Sequence, residues 1–366
     1  MKRTLEKIPL LMAAVFLSAA VACSPASTPI PPQPTSMPVP SEIPAPPDEE
    51  VFSPQVVWRV AFEQEQGANV IESLAFSPDA SLIAVGVHPE VRLYGAANGE
   101  LARAIEHRHT VESLDFSPDG TQLGAGQGVY GVRLSKVVDG EEIQTLGSGY
   151  NSVVAFSPDG ETVASGNRDG IIWLWRLTDG ELLSSFERPE AGSPTDRWMK
   201  ALVFSPDGAL MASAHWDGRI HVWQVSSGDI LHTLEAPEGP SGTGTIAFSP
   251  DGSLLAVNGA REDGSHGVRL WQVSDGKPLR VLTGHANETT DVAFSPDGTL
   301  LVSGGSTRDG TVKLWQTSDW SLWHSLEHLD AQGKIDWITT VAFSPDGKNL
   351  VVGTQSGLIW FWQVQP

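Results

Sequence analysis

Apolar and polar residues alternate along this chain in short bursts, not at helical spacing. Residues 283–325 show the unit. Val292 and Phe294 alternate with polar neighbours, and Pro296-Asp297-Gly298 turns the chain. Leu300-Leu301-Val302 is a second run, closed by Gly304-Gly305. Val312, Leu314 and Trp315 form a third, Ser318-Asp319 turns it, and Trp320-Ser321-Leu322-Trp323 begins a fourth. Short runs punctuated by Gly, Pro and Asp predict four antiparallel strands joined by tight turns. The unit recurs. Phe-Ser-Pro-Asp-Gly or a near copy begins at Phe76, Phe116, Phe156, Phe204, Phe248, Phe294 and Phe343, at spacings of 40, 40, 48, 44, 46 and 49 residues. Only the first copy departs from it, with Ala80 in place of Gly. Periods of this size mean a repeat architecture. One small sheet cannot bury both faces alone, so neighbouring sheets must stack on it.

The order Gly284-His285, then Phe294-Ser295-Pro296-Asp297-Gly298, then Ser303, Asp309 and Leu314-Trp315 resembles a WD repeat, and the resemblance spans roughly residues 55–366. It implies an all-β, seven-bladed β-propeller of four-stranded antiparallel blades around a central channel. It also implies a structural hydrogen-bond chain of His, Ser, Asp and Trp within a blade. Blade six keeps all four, as His285, Ser303, Asp309 and Trp315. Blades three and four keep Ser165, Asp169, Trp175 and Ser213, Asp217, Trp223 but lack the His. Tyr94 and Ser135 stand at the Trp position of blades one and two, and no blade Trp is followed by Asp. The rigidifying network is thus expected to be mostly missing, with packing taking its place.

The chain ends after Ile359-Trp360-Phe361-Trp362-Gln363-Val364, the third strand of blade seven. Val56-Val57-Trp58-Arg59-Val60 reads as a strand with no blade of its own. The economical arrangement has it complete blade seven, joining the ends of the ring and covering an exposed sheet edge.

The first fifty residues read differently. Lys2, Arg3 and Lys7 precede an apolar run from Ile8 to Ala22, too short for a comfortable membrane span and matching a secretory signal peptide over residues 1–22. Small residues lead into Cys23, the single cysteine of the chain. This resembles a bacterial lipoprotein signal, which implies lipidation of Cys23 and anchorage to the bacterial membrane. Residues 23–54 are rich in Pro, Ser and Thr and read as a linker without a core, leaving 55–366 as the propeller on the extracytoplasmic side. The formal net charge of −21 argues against nucleic acid, which needs a basic stripe.

Two connections have constant length. From each Phe to the apolar residue seven later, and from the third-strand apolar residue to the end of the fourth strand, nothing changes. The second-to-third link runs from 10 to 15 residues, and the link into the next blade from 10 to 18. In a four-stranded meander both variable links lie at the same end, so all variation falls on one face of the disc, where a rigid scaffold carries function. Tyr150, Trp198 and Trp337 each stand six residues before a repeat Phe, at the entrance of the first strand. Arg168, Trp216, Glu262 and Arg308 each precede the Asp position of the second-to-third link. Trp, Tyr and Arg are enriched in interface hot spots, although an aromatic at the strand entrance is also a common packing device of WD repeats.

Catalytic signatures are not found: Gly-x-Ser-x-Gly and His-Glu-x-x-His do not occur, and one cysteine excludes Cys-x-x-Cys. His107 reads as a relic structural histidine, and His215 and His221 show no third metal ligand. The repeated Asp of each turn reads as a backbone cap. The expectation is a monomeric, non-enzymatic scaffold that binds a protein or peptide, with no cofactor, no metal and no nucleic acid. The alternative is an enzyme or carbohydrate binder using the central channel.

Overall fold

The repeated turn explains its own repetition. Ser295 Oγ donates to Asp297 Oδ1 at 2.6 Å and accepts from Leu300 N at 2.9 Å, while Thr299 N donates to Asp297 Oδ1 at 3.0 Å. Ser77, Asp79 and Leu82 make the same bonds in the first copy. In Asp79 and Asp251 the serine hydroxyl, then the backbone amide, hold the carboxyl below its usual range. Gly298 sits at φ +71°, and a Cβ there would lie 3.7 Å from Pro250 of the preceding blade, so successive turns nest around the ring.

The computed structural model describes residues 53–62, 70–107, 109–147, 150–189, 194–235, 244–260, 266–330 and 332–364. Cys23, the segment 1–22 and most of 23–54 lie outside the described residues, as does Glu262. The strands form seven four-stranded antiparallel sheets. The one helical turn among the described residues is a 3-10 helix at Pro194–Arg197.

First strands, such as Ser113–Phe116 and Thr289–Phe294, line the central channel. Second strands carry the densest burial: Leu82–Val87, Leu210–His215 and Asn349–Thr354 bury every position after the first. Covered on both faces by neighbouring blades, they read as continuous apolar runs. Fourth strands face solvent. Leu101–Glu106 and Leu182–Glu187 each bury a single side chain, Ile105 and Phe186. The core therefore lies in the seams between blades. Ile172, Leu174 and Phe186 of blade three pack with Leu202, Met211 and Trp223 of blade four.

Ring closure follows the expectation. Gln55–Ala61 pairs antiparallel with Leu358–Gln363, from Gln55 opposite Gln363 to Ala61 opposite Leu358. The Trp58 ring stacks on Phe361 at 4.8 Å, and its Nε1–H donates to Ala96 O of blade one at 2.9 Å. One boundary differs. The fourth strand of blade six begins at Leu322, and Trp320 occupies the preceding turn at φ +64°, where other blades carry Gly.

Candidate partner-binding face

The backbone brings the two sets of predicted face residues together. In each of four blades, the residue twelve positions after the repeat Phe donates its N–H to the carbonyl of the residue six before it. The pairs are Arg168 to Tyr150 at 3.2 Å, Trp216 to Trp198 at 2.9 Å, Ser306 to Glu288 at 2.8 Å and Gln355 to Trp337 at 2.9 Å. In blades three and four this builds one continuous cluster. The Arg168 guanidinium lies 4.4 Å from the Tyr150 ring centroid and 4.6 Å from that of Trp198, between the two rings. Trp198 meets Trp216 edge to face at 5.9 Å, and Lys200 Nζ lies 4.3 Å over Trp216. Tyr150 is 48 % exposed and Trp216 37 %, while Trp198 is half-buried.

The other two predicted residues do not join the cluster. Trp337 is 43 % exposed at the entrance of blade seven, and among the described residues no ring or ionic contact ties it to blades three and four. Arg308 is displaced by the longer link of blade six. Ser306 takes the position equivalent to Arg168, and Arg308 stands exposed in the turn at φ +67°.

Directly inside the cluster lies the channel mouth, part of a cavity of about 470 Å³. Its rim includes residues four before a repeat Phe, among them Glu72, Glu112 and Lys200. The sequence reading missed all three. Glu72 keeps contact with solvent, yet the surrounding wall desolvates it and raises its pKa, and the Glu112 charge raises it further. Burial lowers Lys200, against the opposing pull of Glu112. Arg168 reaches Glu112 only at 3.6 Å.

Deeper in the channel, polar side chains tie neighbouring blades. Ser73 Oγ accepts from Leu114 N at 3.0 Å, and Asp291 Oδ2 accepts from Val341 N at 2.8 Å while Thr245 Oγ1 donates to its other oxygen at 2.7 Å. Asp115 accepts from Phe156 N at 2.7 Å, and burial pushes its carboxyl up to about 7. Both channel carboxylates are occupied by backbone amides of the next blade.

Among the described residues the structural chain is complete in blade six alone, as expected, but other residues supply parts of it in blades four and seven. In blade six, Trp315 Nε1–H donates to Ser303 Oγ at 2.9 Å, Ser303 meets His285 Nε2 at 2.7 Å, and His285 Nδ1 meets Asp309 at 2.8 Å. Burial alone would raise Asp309, but hydrogen bonds from His285 and Thr311 hold it well below the carboxylate range. In blade four, His215 from the blade's own second strand meets Ser213 Oγ at 2.9 Å, and its Nδ1 meets Arg197 O at 3.1 Å. Arg188, just past the fourth strand of blade three, takes the vacant partnership with Asp217 at 2.6 Å. In blade seven, Trp362 Nε1 donates to His328 at 3.2 Å. In blade five the chain is missing: Val257 replaces the serine, and the Trp271 indole N–H is buried without a partner. His107 holds its expected structural place, against Gln127 of blade two. Burial lowers His215 to about 3 and His221 to about 4, so both are neutral. Among the described residues no three His, Cys, Asp or Glu gather as a metal site.

Comparison with known proteins matches this architecture. The family model described as the IFT122 first beta-propeller matches residues 70–363. The Serine-threonine kinase receptor-associated protein of Gallus gallus is 26 % identical over 113 residues, 30 % of this chain and 32 % of that protein. WD repeat-containing protein 1 of Bos taurus is 32 % identical over 117 residues, 30 % of this chain and 19 % of that protein. Telomerase protein component 1 of Rattus norvegicus is 30 % identical over 135 residues, 36 % of this chain and 5 % of that protein. The chain thus spans a third or less of the length of these relatives. The seven closed blades and the family match together place the chain in the IFT122 first beta-propeller family, as a seven-bladed WD-repeat propeller.

Proposed function

We propose that the chain is a non-enzymatic interaction scaffold, held at the outer side of a bacterial membrane by a lipid on Cys23, that binds a protein or peptide through its variable face. WD-repeat propellers are typically interaction scaffolds. The observation that carries the reading is the joined cluster of Tyr150, Arg168, Trp198 and Trp216, which offers rigid aromatic area and a fixed guanidinium on the face where loop length varies. The channel alternative has less support, since Asp115 and Asp291 are engaged in joining blades.

The test is cross-linking of the membrane-bound protein in its native cells. Trp198→Ala should weaken partner cross-linking about thirtyfold if Trp198 is a hot spot worth about 2 kcal/mol. Glu161→Ala and Lys348→Ala, on the opposite face, should leave it unchanged. Loss of cross-linking in the opposite-face variants would place the partner elsewhere. Cys23→Ala should release the protein from membranes; a variant that stays bound and is processed normally refutes the lipid anchor.

A further inference from the structure

We infer that the channel mouth receives an arginine side chain of the partner polypeptide, with its guanidinium between Glu72 and Glu112 and its neighbours in sequence resting on the Trp198–Trp216 pair. The inference rests on the proposed binding face and names the chemistry that face selects.

The charges at the mouth are unequally compensated. Both cations are engaged: Arg168 lies between two aromatic rings, and Lys200 stands over Trp216. A cation over an aromatic face is attracted by the ring's quadrupole. The carboxylates are less well served. Among the described residues Glu112 has only the 3.6 Å approach of Arg168, and Glu72 makes no ion pair and no side-chain hydrogen bond. Glu72 senses Glu112 as a like charge and Lys200 as an opposite one, in both cases through space and not by contact. Two like charges beside an open cavity, of which Glu72 is partly desolvated, are stabilised by a cation from outside.

Three further observations select arginine on a polypeptide. A guanidinium presents its N–H groups as a planar fork, so one group can serve two carboxylates, and its faces stack on aromatic rings. The mouth supplies the two carboxylates on its rim, Glu72 and Glu112, and the exposed Trp216 beside it offers apolar area to the residues flanking the arginine. The cavity of about 470 Å³ has room for a side chain but is small for a folded element. The chain's net charge of −21 steers cationic partners toward it and slows acidic ones.

The experiment uses the whole propeller and a defined probe, a fluorescein-labelled Gly-Leu-Arg-Leu-Gly amide read by anisotropy. Its citrulline counterpart has the same shape without the charge. The arginine peptide should bind, the citrulline peptide about tenfold more weakly, and added salt should weaken the arginine peptide alone. Glu72→Gln and Glu112→Gln should each weaken the arginine peptide about fivefold or more, and Thr290→Ala on the same rim should not. Both glutamates are exposed, so unchanged thermal melting of the Gln variants should accompany the loss. Equal binding of the two peptides, or Gln variants that bind like the parent, overturns the inference. The native cross-link separates it from the broader reading. If Trp198→Ala loses the partner and Glu72→Gln keeps it, the face is right and the arginine is wrong. If both keep it, the face itself is refuted.

Discussion

Asp217→Asn tests whether the pair that stands in for the missing histidine holds blade four against blade three. The Arg188 side chain is 1 % exposed and that of Asp217 13 %. Arg188 Nη2 donates to Asp217 at 2.6 Å, Nη1 donates to the Asp196 carbonyl at 3.0 Å, and Nε has no acceptor. Removing the carboxylate charge leaves a cation that cannot reach water, facing neutral oxygens. Deleting one partner of a buried pair costs about 3–5 kcal/mol. Asparagine keeps an acceptor in reach, so a loss of about 2–4 kcal/mol is expected from urea denaturation. Arg188→Met added to Asp217→Asn removes the stranded charge and should recover most of that loss. The pH dependence gives an independent check. Burial raises the Asp217 pKa, but the hydrogen bonds and charge of Arg188 outweigh it, and the net shift is downward from 3.8. A depressed carboxyl pKa contributes stability above the unfolded value and loses it as pH falls. The gap between parent and Asp217→Asn should therefore be full at neutral pH and close in acid, below the unfolded value of 3.8. A cost under about 1 kcal/mol, or no rescue by Arg188→Met, would mean that apolar packing alone holds this seam.

Three other outcomes follow from the same structure. Ala80 sits at φ +59° where six copies of the turn carry Gly. A left-handed residue with a Cβ costs about 1–2 kcal/mol, and the greater freedom of unfolded Gly returns part of it, so Ala80→Gly should stabilise by about 0.5–1 kcal/mol in urea; a lower urea midpoint would contradict the strain. Asp115 replaces the alanine found at the equivalent place in most blades, and its raised pKa favours the neutral form in the folded chain. That contribution is complete below 3.8 and is lost as pH rises through about 7. Asp115→Asn keeps an acceptor for Phe156 N and should stabilise by about 1–2 kcal/mol in mild alkali, less than the ~4 kcal/mol of a full shift because Asp115 is only half-buried. The gain should vanish in mild acid, and equal melting at alkaline pH refutes it. Trp58→Ala should cost about 2–3 kcal/mol, below the range for fully buried Trp because the ring is half-buried; an unchanged melting temperature would show that the closing strand does not depend on the Trp58–Phe361 stack.

What was legible in the sequence was chemistry repeated at fixed local spacing. Ser295, Asp297 and Leu300 lie within six residues and make their bonds without help from elsewhere, so seven copies announce seven turns. Ring closure was legible because an unpaired strand at each end leaves one economical pairing. The substitute partners of blade four were not legible because a single position was searched for histidine. Physics asks only that the buried serine and aspartate be satisfied. Arg188 satisfies Asp217 from two residues past Phe186, and His215 satisfies Ser213 from two residues further along its own strand.

Arg308 was misplaced for a related reason. Alignment on Asp309 hid the longer link, whereas counting twelve residues from the repeat Phe finds Ser306, the residue that bonds as Arg168 and Trp216 do. That count was available in the sequence and would have paired Tyr150 with Arg168 and Trp198 with Trp216 before any coordinates. Glu72, Glu112 and Lys200 are a different case. Each is one charged residue four positions before a Phe, and taken singly each resembles an ordinary solvated charge. Only the closed ring brings positions 72, 112 and 200 to one rim, where burial and mutual repulsion give Glu72 a property that no single repeat contains. In a propeller the scaffold is written once per repeat and can be read from one, but the channel mouth is assembled from residues of different blades. Its chemistry belongs to the register between repeats, and it becomes readable when the residues at one repeat position are taken together as a ring.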